Sequence, residues 1–407
     1  MEIDSIKRAR FVTFLDSIIW AIIRTRLFNQ IRPKLWHSTV YLLEGKTKHS
    51  EFNLSTIVFA RKEYAAYVSK LIYVEEPKIK FLGNLAFSDI RSLAENTTHD
   101  LILIEANESF SGFLLDNGFF VLPQINFTLD ISDSMAAILS RVDRAKRRHI
   151  RRLVQATYTY EITKDPVKLR SFYYEMYLPH MLAKHGKSAR PVSFSVCRKF
   201  FAKGFLVLIK LQHEYVSGMI LVANYDELYQ PIIGVKNIDK DITLGTYATY
   251  YYATILGKKK GYNCIDFGDA PPFVLDGLFQ YKKGWGMRIR PPKNPGAQVF
   301  GIRFSNLGEA VKDFLLTNPF IFIDGKNLSG LTFLDSFRNT RKYFEINGLS
   351  NLLFISSNPH CSDFDFLQLK RVTLGDHDVQ TSISLSRLIS MCHERDSELL
   401  TRAIPKS

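Results

Sequence analysis

Cysteine is scarce in this 407-residue chain: there are four, at Cys197, Cys264, Cys361 and Cys392. They form no C-x-x-C pair and have no histidine pair beside them, which argues against a disulfide scaffold or a thiolate zinc site and predicts a reducing compartment. At the N-terminus no charged stretch, apolar core and small-residue cleavage site occur in order, so no secretion signal is expected. Residues 11–23 (FVTFLDSIIWAII) are apolar but run only thirteen residues and contain Asp16, short of the roughly twenty needed to cross a bilayer. No internal repeat of solenoid period is visible. Acidic residues are in deficit, 40 against 54 Lys and Arg, which leaves a formal charge of +14.

That surplus favours acidic partners such as phosphates, nucleic acid or an anionic membrane surface. Residues 1–37 form a basic amphipathic segment in which Lys7, Arg8, Arg10, Arg24, Arg26 and Arg32 flank the apolar stretch. It either lies on an anionic membrane through residues 1–34, with Trp20 at the interface, or packs on the protein's own core. The expected location is the cytoplasm, with the inner face of the membrane as a peripheral site. The 46% hydrophobic content excludes a disordered chain, and the length predicts two or three domains.

The periodicity alternates between strand and helix. Short apolar runs within 38–130 read as α/β. Over 131–156 a helix is predicted with Met135, Ile138, Leu139, Val142, Ala145, His149, Ile150 and Leu153 on one side. Arg141, Arg144, Arg147, Arg148, Arg151 and Arg152 fall on the other, and only Lys146 breaks the division. Further helices over 166–185 and 193–203 precede three strands at 205–211, 215–224 and 228–235 joined by short polar turns, a meander. A helix over 243–257, a strand at 264–267, a short helix and a last strand at 287–290 complete the unit. The Pro-rich PPKNPG at 291–296 marks a boundary, and 293–407 is set apart as a C-terminal extension of unassigned role.

Three features in that order, the helix SRVDRAKRRHIRRL, the meander followed by a Tyr-rich helix, and IDFGDAPPFVLDGLFQYKKGWG, resemble the GNAT superfamily, and within it the FemAB-like transferases of peptidoglycan and exopolysaccharide biosynthesis. The resemblance covers 131–292 and implies a mixed-sheet α/β fold, with 38–130 as a degenerate first GNAT-like lobe. It also implies N-acyl transfer from a polyanionic donor, acyl-CoA or aminoacyl-tRNA, to an amine of a sugar, a cell-envelope precursor or a related metabolite. Guanidinium groups suit phosphate, so Arg144, Arg148 and Arg151 are the expected donor-binding residues, together with Gly245 and Thr246 at a helix N-terminus. The stretch KDITLGTY at 240–247 keeps only Gly245 of the family's pyrophosphate loop, a departure that favours tRNA as donor. Gly245 is equally read as a packing glycine.

Acyl transfer needs a base, oxyanion donors and a proton for the leaving atom. Asp269 and Asp276, in strand-end loops, are the base or acceptor-positioning candidates, with helix capping the alternative for Asp276. Tyr229 protonates the leaving atom or lines the acceptor groove, unless it only packs; Tyr225 shares that choice. Lys282, where the family keeps a basic residue, neutralises phosphate or oxyanion or is merely solvated. Trp285 is read as packing the final strand. No metal site is expected. A third possibility is a polyanion- or membrane-surface-binding protein that keeps the fold without the chemistry.

Overall fold

The computed structural model describes residues 37–47, 52–106, 118–186, 189–236, 242–292, 299–305, 308–324, 327–333, 343–356, 368–373 and 381–384. The chain is a mixed α/β protein that divides into two units. One comprises Met1–Pro123, Pro295–Arg341 and Ser350–Ser407; the other comprises Gln124–Asn294 and Lys342–Leu349.

The first unit contains a six-stranded sheet in the order Lys78–Ala86, His37–Lys46, Asn53–Phe59, Leu101–Ala106, Val299–Phe304, Gly118–Val121. Helices Lys62–Ile72 and Phe87–Asn96 accompany it, and Val40, Ile57, Phe59, Ile90, Ile102 and Ile104 form a buried cluster. Strand Val299–Phe304 lies between Leu101–Ala106 and Gly118–Val121, antiparallel to both. The segment set apart by sequence as a C-terminal extension therefore supplies a strand to the N-terminal sheet. Local periodicity reports which residues are strands but not which partner they join across some 190 residues of chain. A second sheet of this unit has five strands, from Phe320–Asp324 to Thr381–Ser384.

The second unit has a seven-stranded sheet in the order Arg288–Arg290, Ile125–Asp130, Cys264–Ala270, Glu227–Val235, Glu214–Asn224, Gly204–Leu211, Thr159–Thr163. Only Glu227–Val235 and Cys264–Ala270 are parallel, as befits two strands joined by a crossover helix, Ile242–Lys259. The predicted order of meander, helix, strand, short helix (Gly277–Lys283) and last strand is present. Leu206, Leu208, Ile220, Val222 and Ile232 alternate along the meander and pack against Leu169, Phe172 and Met176 of the preceding helical run. That run shifts to a π-helical turn at Phe172–Tyr177, where Leu178 N–H donates to the Tyr173 carbonyl. The following Pro179 has no N–H to donate, so the regular helical ladder is interrupted there in any case.

The predicted helix over 131–156 is two helices, Met135–Ser140 and Arg144–Gln155. Asp143 N–H leaves the helical ladder and donates to Gly284 O at 2.8 Å. The interruption is close to one helical turn, so the hydrophobic phase carries across it and hides the break. Strand Thr159–Thr163, at the sheet edge, is absent from the sequence expectation because its residues are mostly half-exposed and show no clean alternation.

Candidate functional site

The parallel pairing within the seven-stranded sheet is short. Glu227, Leu228 and Tyr229 stand opposite Cys264, Ile265 and Asp266, and the pairing ends there. Both strands bulge at this point. Glu227–Val235 shifts register between Tyr229 and Ile232 and contains Pro231, which supplies no N–H. Cys264–Ala270 shifts register against Ile125–Asp130 between Asp266 and Asp269, with Gly268 at φ +73°. Glycine is suited to this left-handed backbone. No atom lies within 4 Å of where a Gly268 Cβ would stand, so the space beside the bulge is open. The sequence thus builds a parting of two strands in the middle of a sheet.

An ionic network assembles at this parting. Arg290 donates from Nη1 and Nη2 to Glu227 Oε1 and Oε2 at 2.7 and 3.0 Å, and from Nη2 to Asp266 Oδ2 at 3.2 Å. Its Nε donates to Asn126 Oδ1 at 2.7 Å. Asn126 Nδ2 donates to Asp266 Oδ1 at 2.9 Å and to Asp269 Oδ1 at 2.8 Å, and Gly268 N–H donates to Asp266 Oδ1 at 2.8 Å. Lys282, 3% exposed, donates to the carbonyls of Phe267 and Asp269 at 3.0 and 2.8 Å. Burial lowers its ammonium to about 8, against the raising influence of Asp269 and Asp266. Three carboxylates thus face two cations, and both oxygens of Asp266 are occupied. Asp269 Oδ2 has no partner among the described residues.

Tyr229 stands directly across from Asp266. Burial, and then the charges of Asp266 and Asp269, push its hydroxyl up to about 12, so it keeps its proton at neutral pH and can donate it. Tyr250 stacks on Phe267 at 4.6 Å and on Trp285 at 5.3 Å, tying the bulge to the crossover helix and to the segment after Lys282. Trp285 is buried, in keeping with its expected packing role.

The other expected residues fall as follows. Asp276 caps the helix Gly277–Lys283, Oδ1 accepting from Leu278 and Phe279 N–H at 2.9 and 3.0 Å. Tyr225 is 99% exposed in a turn with φ +52°. Gly245 lies in the first turns of the crossover helix, where an added Cβ would stand 2.6 Å from Val235 Cγ1. Thr246 follows it, half-buried, its carbonyl accepting from Thr249 Oγ1 at 2.8 Å. Residues 237–241, which include the first two residues of the expected phosphate loop at 240–247, lie outside the described residues, as do 1–34, Cys361 and Cys392. Burial raises the thiols of Cys197 and Cys264 to about 11, a poor state for a nucleophile. Among the described residues no three His, Cys, Asp or Glu side chains are placed to hold a metal, and no helix is long and apolar enough to cross a membrane.

Arginine splits into two groups. Arg141 pairs with Asp133 at 2.8 Å, and Arg147 donates to the Ser140 carbonyl at 2.8 Å, so these two secure the helix break. Arg144, Arg148, Arg151 and Arg152 are exposed and have no ion-pair partner among the described residues. Lys146, the residue out of pattern, is buried, 3.3 Å from Asp143 Oδ2 and 5.4 Å over the Tyr281 ring. Asp143 and Lys146 close over Gly284, so the arginine helix is docked directly on the segment that carries Lys282.

Sequence reasoning missed Asn126, Glu227 and Arg290. Their signal is slight: each is a polar residue at or within a short apolar run, and 164 positions separate Asn126 from Arg290.

No protein-family model matches the chain, and a search of curated proteins gives no significant match. Solved structures are similar at low identity. FemX is 15% identical with a TM-score of 0.37, over 64% of this chain and 83% of its own. L-PGS from Bacillus licheniformis is 13% identical with a TM-score of 0.34, over 68% and 88%. A GCN5-related N-acetyltransferase-like protein from Streptococcus suis is 11% identical with a TM-score of 0.28, over 65% and 82%. These neighbours are of the kind that the sequence resemblance names. With TM-scores below 0.5 they decide no function for this chain.

Proposed function

We propose that this protein is an N-acyltransferase of GNAT-like, FemAB-like type, moving an acyl group from a polyanionic donor to a primary amine at the parted strands. The observation that carries the proposal is the ionic floor of that parting, which leaves one carboxylate oxygen, Asp269 Oδ2, without a partner and an excess of negative charge. Such a place suits an arriving ammonium. Asp269 takes one proton from the ammonium, the freed amine nitrogen attacks the acyl carbonyl carbon, and the C–N bond forms as the bond to the donor's sulfur or oxygen breaks, the nitrogen's second proton passing to Tyr229 to replace the one it gives up. Tyr229 gives its proton to that leaving atom. Arg144, Arg148 and Arg151 hold the donor's phosphates, with acyl-CoA as the donor and an amino sugar, cell-envelope precursor or related metabolite as the acceptor. Residues 1–34 add peripheral contact with an anionic membrane at the cytoplasmic face.

Aminoacyl-tRNA is the second reading of the donor. It is favoured by the exposed arginines running from Arg144 to Arg152, a little over two turns of helix or roughly 12 Å at about 1.5 Å per residue, a longer stripe than one pyrophosphate needs. Mass spectrometry of copurified ligand, followed by turnover assays with acetyl-CoA and with charged tRNA, separates the two. Asp269→Asn is expected to lower kcat at least about 100-fold, the lower end of the usual range for a lost general base, with donor affinity unchanged. Full turnover in that variant would remove the proposed base. Polyanion binding with no turnover from either donor would favour the non-enzymatic alternative.

A further inference from the structure

We infer that Asn126 is a positioning residue that divides the two aspartates, fixing Asp266 as structure and leaving Asp269 available; as a statement about catalysis, this rests on the proposed acyl transfer. Asn126 lies on strand Ile125–Asp130 with Asp269 opposite it on one neighbouring strand and Arg290 opposite it on the other. It is 4% exposed. Arg290 Nε can only donate, so the atom it meets at 2.7 Å is the amide oxygen, and the orientation of the amide follows. Both amide hydrogens then point towards carboxylates, one at Asp266 and one at Asp269.

A buried amide would ordinarily serve any acceptor within reach. Here it stands between two carboxylates, each of which disfavours ionisation of the other. By giving a hydrogen to each, Asn126 bonds both carboxyl groups at once. Asp266 receives further hydrogens from Gly268 and Arg290 and has no oxygen left over. Asp269 receives only the one from Asn126 on its side chain, and its Oδ2 remains for a ligand. The charged and titratable groups around the amide are Asp266, Asp269, Glu227, Arg290, Lys282, Tyr229 and Cys264. Besides the two aspartates, only the Arg290 side chain bonds the amide, so Arg290 is the second positioning residue.

The test uses full-length protein with Asn126→Leu, Arg290→Lys and, as a control for disturbance of the same strand, Thr128→Val. The Asp269 carboxyl is followed by carbon-13 NMR between pH 3 and 8, and kcat and KM are measured for the amine acceptor. In Asn126→Leu the Asp269 carboxyl is expected to titrate at least about one pH unit, tenfold in proton affinity, above wild type. The acid limb of kcat should move with it, kcat should fall at least about tenfold, and donor KM should stay within about twofold. Arg290→Lys, which keeps the charge but removes Nε, should shift the titration in the same direction by less and is read alone if Asn126→Leu does not fold. Thr128→Val should leave the titration in place. An unmoved titration in a folded variant of Asn126 or Arg290 overturns the inference whatever the reaction is. A shifted titration in a protein that turns over neither donor leaves the division of the aspartates standing and removes the catalytic reading.

Discussion

At the scale of single residues, the ionic floor depends on burying charge beside its opposite, and Lys282 is where the cost is greatest. Its folded value of about 8 lies below the ordinary 10.5 of an unfolded lysine. Between those values the unfolded chain binds a proton that the folded protein has released, so stability rises with pH across that window. Below about 8 the penalty is fully present, on the order of 3 kcal/mol from the size of the shift. Lys282→Met removes this dependence. Chemical denaturation at pH 7 and pH 10 is expected to show wild type gaining on the variant at the higher pH. Equal differences at the two values would mean that Lys282 is charged throughout or neutral throughout. With both bonds going to main-chain carbonyls, Lys282 is a strut for the bulge that carries Gly268 and Asp269.

At the scale of elements, the crossover helix Ile242–Lys259 decides between two views of Gly245. A Cβ there meets Val235 Cγ1 on a β-branched side chain with little rotameric freedom. Gly245→Ala should therefore cost about 1–3 kcal/mol of overpacking, offset in part by about 1 kcal/mol of helix propensity. Thermal melts are expected to show a lower Tm with donor affinity intact; lost affinity at unchanged Tm would assign the glycine to phosphate instead. The meander and this helix are legible in sequence because their contacts are local and periodic. The division of the basic helix at Asp143 is not, since what ends the first helix is Gly284, 141 residues away. The site is half legible on the same grounds. Asp269 and Tyr229 stand out as polar groups at strand ends, whereas Asn126, Glu227 and Arg290 acquire meaning only once three strands are side by side.

For the molecule as a whole, a charge of +14 and four exposed arginines on one helix predict strongly salt-dependent polyanion binding. If Arg144, Arg148, Arg151 and Arg152 each neutralise one phosphate of a single strand, the logarithm of the binding constant should fall with the logarithm of salt concentration with a slope of about −3. Arg148→Ala should make that slope shallower by about 0.7. Fluorescence anisotropy with a labelled single-stranded RNA between 50 and 300 mM salt measures both, and a slope near zero would remove the arginine helix from donor binding.

Strand Val299–Phe304 carries one more consequence, in time rather than in space. As the chain leaves the ribosome, residues 37–121 emerge with a gap in their sheet between Leu101–Ala106 and Gly118–Val121 that nothing yet synthesised can fill. The whole stretch Gln124–Asn294 appears before the missing strand does. The N-terminal sheet is thus completed after the seven-stranded sheet although its first strands precede it, and the open edges of its two waiting strands are a part of the nascent protein in need of a chaperone.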